Sequence, residues 1–261
     1  MRILFAFLIA TAASVIGGIC GIGGGIIIKP LLDMSGIATV SEASFLSGIT
    51  VLAMSAYNTA RNLSDGNRNI DIPVMLPLSV GAAFGGVAGK ILFDMLKEMS
   101  GKSGTVTAVQ SAVLILTVVL VVIYEIKKNG IRKKHLTSIP AVFLAGLGLG
   151  IISSFLGIGG GPVNLVVLSY FFSMDTKTAA KNSIFIILFS QFANLIYSIF
   201  TKSIPQCGAL LPILMIAGGI SGGIVGRKIS SKLKSEDVDK LFIILLFVII
   251  MICIYNIYKY I

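Results

Sequence analysis

The sequence predicts an all-α polytopic membrane protein of two inverted repeats, each of about five helical segments, with glycine-broken half-helices meeting near mid-membrane. Three observations lead there. Only 12% of the 261 residues are charged and 56% are hydrophobic, whereas soluble domains carry roughly 25% charge. A glycine cluster, Gly21-Ile22-Gly23-Gly24-Gly25, recurs as Gly157-Ile158-Gly159-Gly160-Gly161 at an offset of 136 residues. The same offset carries Ser47 onto Ser183 and Asn58 onto Asn194. Glycine-interrupted apolar segments at matching places in two halves point to a transporter with a central site.

The first repeat, 1–128, opens on an apolar segment at 3–20. Arg2, that stretch and the run Ala10-Thr11-Ala12-Ala13-Ser14 resemble a signal peptide. The counterpart at 138–156 is internal and cannot be one, so the first segment is retained as structure. After the glycines comes 24–34, about half of the roughly 20 residues that a spanning helix needs. Segments 42–62, 71–97 and 105–127 are long enough to cross. A basic linker at 129–137 precedes the second repeat, 138–261, whose segments are 138–156, 161–172, 178–201, 207–233 and 238–261. Irregular backbone at membrane depth survives only when buried in protein or lining a watery cavity, so the breaks face inward. Whether the short segments re-enter or cross, each repeat makes an odd number of crossings, and the second is inverted relative to the first.

Parity sorts the basic residues. Arg61, Arg68, Lys127, Lys128, Arg132, Lys133, Lys134, Lys177, Lys181, Arg227, Lys228, Lys232, Lys234 and Lys240 fall on one side. Arg2, Lys29, Lys90, Lys97, Lys102, Lys202 and Lys259 fall on the other, a split of 14 against 7. The richer side is expected to be cytoplasmic, which leaves both termini outside a chain embedded in the cell membrane. The net charge of +10 is thus a topology signal in a lipid-embedded chain and not a face for nucleic acid. Cys20, Cys207 and Cys253 form no CxxC, and His135 stands in the basic loop. No cofactor, metal site or disulfide framework is expected.

The breaks carry the chemistry. A helix starting after one presents free N–H groups and the positive end of its dipole, and Pro162 suits a first helical position. Two such starts aimed at one region would bind an anion without a fixed cation. Glycines can instead serve close packing. That reading suits the stripes Gly81-x₃-Gly85-x₃-Gly89 and Gly218-x₃-Gly222-x₃-Gly226. Three adjacent glycines cannot share one helix face, so the expected substrate contacts are Gly23, Gly24, Gly25, Gly159, Gly160 and Gly161. Ser47 and Asn58 lie about three turns apart on one face, as do Ser183 and Asn194. These four, with Asn182 and Gln191, complete the expected site, although a buried asparagine also serves as glue between helices. All acidic residues, Asp33, Glu42, Glu125 and Asp175 among them, read as lying at segment ends or in loops. With no mid-span carboxylate for a proton relay or cation site, a neutral or anionic substrate is favoured. Lys181 reads as snorkelling to the interface.

The paired breaks, followed by Lys29-Pro30-Leu31-Leu32 in one half and Pro162-Val163-Asn164-Leu165 in the other, resemble the sulfite exporter TauE/SafE family of membrane permeases. The run Asp175-x-Lys177-x-Ala179-Ala180-Lys181-Asn182-Ser183 resembles that family's second half. The first half departs, with Phe45-Leu46-Ser47 where the second has Lys181-Asn182-Ser183. The resemblance implies a secondary transporter, moving by alternating access a small sulfur-containing anion such as sulfite, thiosulfate or an organosulfonate. An anion channel or a structural subunit of a membrane complex is the alternative. An enzyme is disfavoured, because no HExxH, GxSxG or paired mid-span carboxylate is present. The partners expected are the small anion and the bilayer, with a coupling ion and a homo-oligomer left open.

Overall fold

The computed structural model describes residues 2–64, 72–100, 103–132 and 134–260. Arg68, Lys102 and Lys133 of the charge pattern lie outside them. The described chain forms ten α-helices: α1 (Arg2–Cys20), α2 (Gly25–Ser35), α3 (Val40–Ser64), α4 (Ile72–Ser100), α5 (Ser103–Lys127), α6 (Ile139–Phe155), α7 (Pro162–Phe172), α8 (Thr176–Phe200), α9 (Leu210–Lys232) and α10 (Ser235–Tyr260). A 3₁₀ turn, Lys128–Gly130, follows α5.

Local chemistry sets these boundaries. Gly24, at φ 73°, ends the break and admits α2, a left-handed conformation that costs glycine nothing. Gly36, at φ 67°, closes α2 by donating its N–H to the carbonyls of Leu32 and Asp33. A capping box opens α3: the Thr39 N–H donates to Glu42 Oε2 at 2.8 Å, and the Glu42 N–H to Thr39 Oγ1 at 3.3 Å. Pro162 starts α7, and Asp175 caps α8 by accepting from the N–H groups of Lys177 and Thr178. Hydrogen bonds to that carboxylate hold its pKa below the usual 3.8 despite the opposing effect of burial.

Six of the described helices, α1, α4, α5, α8, α9 and α10, are long and apolar enough to cross a membrane. Their outer faces leave large apolar side chains bare, among them Leu116, Phe200 and Met251. A surface of that kind needs lipid against it. With 25 residues α3 is as long as α8, but its serines, threonines and asparagines lower its hydropathy. One face of it packs in the bundle, where Ser47, Thr50 and Asn58 are almost fully enclosed, while Tyr57 and Leu63 stay exposed.

The stripes of small residues pack as expected. A side chain on Gly81, Gly85 or Gly89 of α4 would run into the carbonyls of Phe143, Leu147 and Ile151 of α6 respectively. Gly222 and Gly226 of α9 press in the same way on the Thr11 and Val15 carbonyls of α1. Contacts advancing together in steps of four mean that each pair runs side by side in one direction. Backbones this close gain dispersion contact along their length, the association that operates where lipid removes the hydrophobic drive. The tightest pairs therefore join one helix from each half of the chain. The remaining partners also correspond at the offset of 136: α3 on α8 and α5 on α10, with α3 on α9 matching α8 on α4.

The short helices double back. Arg2, at the start of α1, lies 3.5 Å from Glu42, near the start of α3, so α2 returns to the end from which α1 sets out. The turn is tight, because a side chain on Gly17 would overlap the Gly24 backbone. α7 returns likewise: the N–H groups of Lys134 and Leu136 donate to the carbonyls of Tyr170 and Phe171. At one end of the bundle Lys259 donates to the Met34 carbonyl. At the other, Lys128 pairs with Asp239 at 2.6 Å and with Glu125 at 3.0 Å. Burial lowers the Lys128 pKa, but those two hydrogen-bonded carboxylates outweigh it and raise it overall.

Candidate functional site

The two glycine breaks meet. A side chain on Gly25 would strike the Ile158 carbonyl, and the Ser47 hydroxyl donates to the Gly25 carbonyl at 3.3 Å. Side chains on Gly23 and Gly159 would both meet Val51 of α3, and those on Gly23 and Gly160 would both meet Ile187 of α8. Val51 and Ile187 correspond at the same offset of 136. Breaks and aliphatic side chains together make a closed wall, with the first turns of α2 and α7 starting at it.

Two vestibules flank this wall, one toward each end of α3. The first, about 130 Å³, is lined by Ser44 and Gly48 of α3, Lys90 and Asp94 of α4, Gly157, and Gln191 and Asn194 of α8. The second, about 330 Å³, is lined by Asn58 and Asn62 of α3, Lys177 and Lys181 of α8, and Arg227 and Ser230 of α9. At the offset of 136, Asn194 corresponds to Asn58, Ser198 to Asn62, Ser154 to Gly18, and Phe45 to Lys181. The two cavities are counterparts, lined by matching parts of the repeated sequence.

Their charges differ. Lys177, Lys181 and Arg227 line the second vestibule, and no carboxylate is among its described lining residues; Arg227 Nε donates to Asn62 Oδ1 at 3.2 Å. In the first, Lys90 lies 3.5 Å from Asp94 and over the Phe93 ring, and Lys97 is a second lining cation. Sequence reasoning missed Asn62, Arg227 and Lys90 as lining groups and read Lys181 as an interface residue. The usable signal was the offset itself, which maps Asn62 and Lys181 onto positions facing the other cavity.

The twelve expected site residues do not converge on one cavity. Gly23, Gly24, Gly25, Gly159, Gly160, Gly161 and Ser47 belong to the wall or its immediate support, Asn58 to the second vestibule, and Gln191 and Asn194 to the first. Asn182 and Ser183 are buried in α8 and line neither of these two cavities; the Asn182 amide donates to the Thr178 carbonyl. Packing also claims more of the glycines than their adjacency suggests, since Gly24 fits under the Ala13 carbonyl of α1. Even so, unpartnered buried polar atoms gather here. Both amide atoms of Asn58, Ser183 Oγ, Ser190 Oγ, Gln191 Nε2 and Asn194 Oδ1 have no partner, whereas Asn194 Nδ2 donates to Ser154 at 2.6 Å. Buried polar groups are normally satisfied, so such a cluster points to water or a ligand. Among the described residues no three His, Cys, Asp or Glu side chains stand together as metal ligands.

Asp33 does lie near the end of its segment, in the last turn of α2, but it is buried there, with Oδ2 2.7 Å from Lys29 Nζ. Lys29, sorted by sequence to an aqueous side, is buried with it. The half-helix is so short that a position near its end is still enclosed by α10, whose Tyr260 hydroxyl donates to the Asp33 carbonyl.

A curated relative from Haemophilus influenzae, described as a "Probable membrane transporter protein", is 27% identical over 167 residues, covering 61% of this chain and 60% of the relative. The chain thus matches about three fifths of that relative's length. No solved structure matches the chain. Residues 6–252, nearly the whole sequence, match the family described as "Sulfite exporter TauE/SafE". With its crossing helices, its matched glycine breaks and this coverage, the chain is a multi-pass membrane protein that belongs to the sulfite exporter TauE/SafE family of membrane transporters.

Proposed function

We propose that the protein carries a small anion across the cytoplasmic membrane by alternating access, most specifically a sulfur-containing anion such as sulfite, thiosulfate or an organosulfonate. The observation that carries this reading is the pair of matching vestibules, one on either side of the paired glycine breaks. In an inverted repeat, exchanging the conformations of the halves exchanges which vestibule is deep and which is shut. The repeats are then 1–128 and 138–261, joined by a cytoplasmic linker at 129–137, with both termini outside. The cytoplasmic vestibule is the one lined by Lys177, Lys181 and Arg227.

Charge supports an anion. The first turns of α2 and α7 offer N–H donors without partners further back in their helices. Such donors to a charged acceptor contribute roughly 1.5–3 kcal/mol each. A helix dipole adds roughly 0.3–1 kcal/mol at exposed sites and more when partly buried. Asn58, whose amide nitrogen is unpartnered, and Asn194, whose Nδ2 keeps a second hydrogen beyond its bond to Ser154, donate without bringing a charge of their own.

Purified protein in proteoliposomes is expected to show saturable uptake of labelled thiosulfate, stimulated by the same anion on the far side. Flux that neither saturates nor responds to the far side identifies a channel. If sulfite, thiosulfate and sulfonates neither move nor compete, the anion reading is wrong.

A further inference from the structure

Lys29 and Asp33 stand one turn apart on α2 with only 4% and 3% of their side chains exposed. At the offset of 136 their counterparts are Leu165 and Ser169, so the pair is not part of the repeated framework. Nor does packing call for it: a buried ion pair gains little net stability over apolar residues, because desolvation offsets the attraction. The pair is also incomplete, since Asp33 Oδ1 is buried without a partner.

Its place is informative. A side chain on Gly157 would begin 3.0 Å from Lys29 Cε and 2.5 Å from Ser44 Oγ, and both Gly157 and Ser44 line the first vestibule. The Lys29 stem therefore lies behind a wall one glycine thick. The charged groups around α2 other than this pair have partners of their own, whereas Asn256 Oδ1 and Ser44 Oγ, like Asp33 Oδ1, are buried without one. From α10, Asn256 donates to the Pro30 carbonyl, Lys259 to the Met34 carbonyl and Tyr260 to the Asp33 carbonyl, while the Cys253 thiol faces the pair. From α3, Ser47 is bonded to Gly25 and Glu42 pairs with Arg2 of α1. Among the described residues, Lys29 is the cation paired with Asp33.

We propose that Lys29 and Asp33 are the coupling site of this transporter: the anion binds against the Lys29 ammonium while Asp33 takes up a proton. The inference rests on the anion-carrier reading above. Empty, the site holds an ammonium and a carboxylate and is neutral. A monoanion arriving alone would leave a buried net charge of −1, which is strongly disfavoured in low dielectric. A proton on Oδ1 restores neutrality and turns that unpartnered acceptor into a donor for the anion. Release of both on the far side re-forms the ion pair. One proton thus accompanies each monovalent anion in the same direction, and no net charge crosses.

The test uses the full-length chain in proteoliposomes loaded with a pH dye, with the membrane potential clamped to zero. Methanesulfonate is the first probe, because it carries no proton of its own at neutral pH; thiosulfate is the second. Inward anion flux is expected to acidify the lumen by one proton per labelled methanesulfonate. An imposed pH gradient is expected to accumulate that anion about tenfold per pH unit. In Asp33→Asn, accumulation no longer follows the pH gradient and anion exchange no longer varies with pH. The double variant Lys29→Met, Asp33→Leu removes both buried charges together; it is expected to insert and elute like the wild type but to lose anion binding. Anion flux through the wild type without protons overturns the coupling and leaves the carrier reading standing. Proton-coupled flux retained in the double variant overturns the assignment to this pair. Failure of both probes and sulfite to move or compete overturns the carrier reading and this inference with it.

Discussion

At the scale of single residues, the wall between the vestibules separates two kinds of glycine. Gly25 has no room, because its side chain would strike the Ile158 carbonyl, and Gly25→Ala forces the breaks apart. The cost is expected to reach at least the roughly 1–3 kcal/mol of ordinary overpacking, seen as a lower melting temperature in detergent together with lost transport. Gly161 differs. Its φ is 178°, extended backbone open to any residue, and an added methyl would approach only Ile158 Cδ1, at 3.2 Å. Gly161→Ala is expected to keep the wild-type melting temperature while slowing flux, since the methyl stands where α7 begins. Normal flux in Gly161→Ala would remove that glycine from the substrate's path. The asparagines give a third expectation: Asn58→Leu removes an amide whose two polar atoms are unpartnered, so the half-saturating anion concentration should rise about tenfold, equivalent to roughly 1.4 kcal/mol. An unchanged value in counterflow measurements would make Asn58 a packing residue. Asn194→Leu should weaken binding as well, but it also breaks the bond to Ser154, and stability should fall with it.

At the scale of elements, helix boundaries were legible because glycine, proline and caps mark them chemically: Gly24 and Gly36 bracket α2, and Pro162 starts α7. What hydropathy could not supply was the third dimension. Asp33 reads as the end of a short apolar stretch, and only the return of α2 against α10 buries it. Arg227 likewise reads as part of a basic cluster, because nothing in its neighbours reveals that the end of α9 meets Asn62 at the lining of a cavity. The caps themselves can be tested. Asp175→Ala removes the acceptor for two N–H groups of α8 and should cost about 0.5–2 kcal/mol, read as a lower unfolding midpoint. The pH dependence follows from the depressed pKa of the Asp175 carboxyl. Its contribution is complete above 3.8, the ordinary carboxylate value, and is lost as pH falls below that through the folded-state value. Asp175→Ser, a cap that does not titrate, should lack this acid-dependent component; an identical acid profile in the two proteins would contradict the cap's role.

The whole molecule makes a prediction about sidedness. Reporter fusions after Ile261 and near Asn129 are expected to report opposite compartments, with Asn129 cytoplasmic; a cytoplasmic C-terminus would refute the orientation drawn from the basic residues. The glycine-striped pairings also have a consequence for how the chain is made. α1 is synthesised well before the helix it grips most closely, α9, which ends at Lys232. At roughly 5–20 residues per second of synthesis, α1 waits on the order of 10–40 s for that partner. Through that interval Gly18 and the backbone around Thr11 and Val15 lack the α9 surface that they pack against. α4 waits far less for α6, whose last residue is Phe155. Assembly is therefore expected to proceed from the middle of the chain outward, with α4 and α6 locking first and the N-terminal helix held in the membrane until α9 arrives to close the bundle.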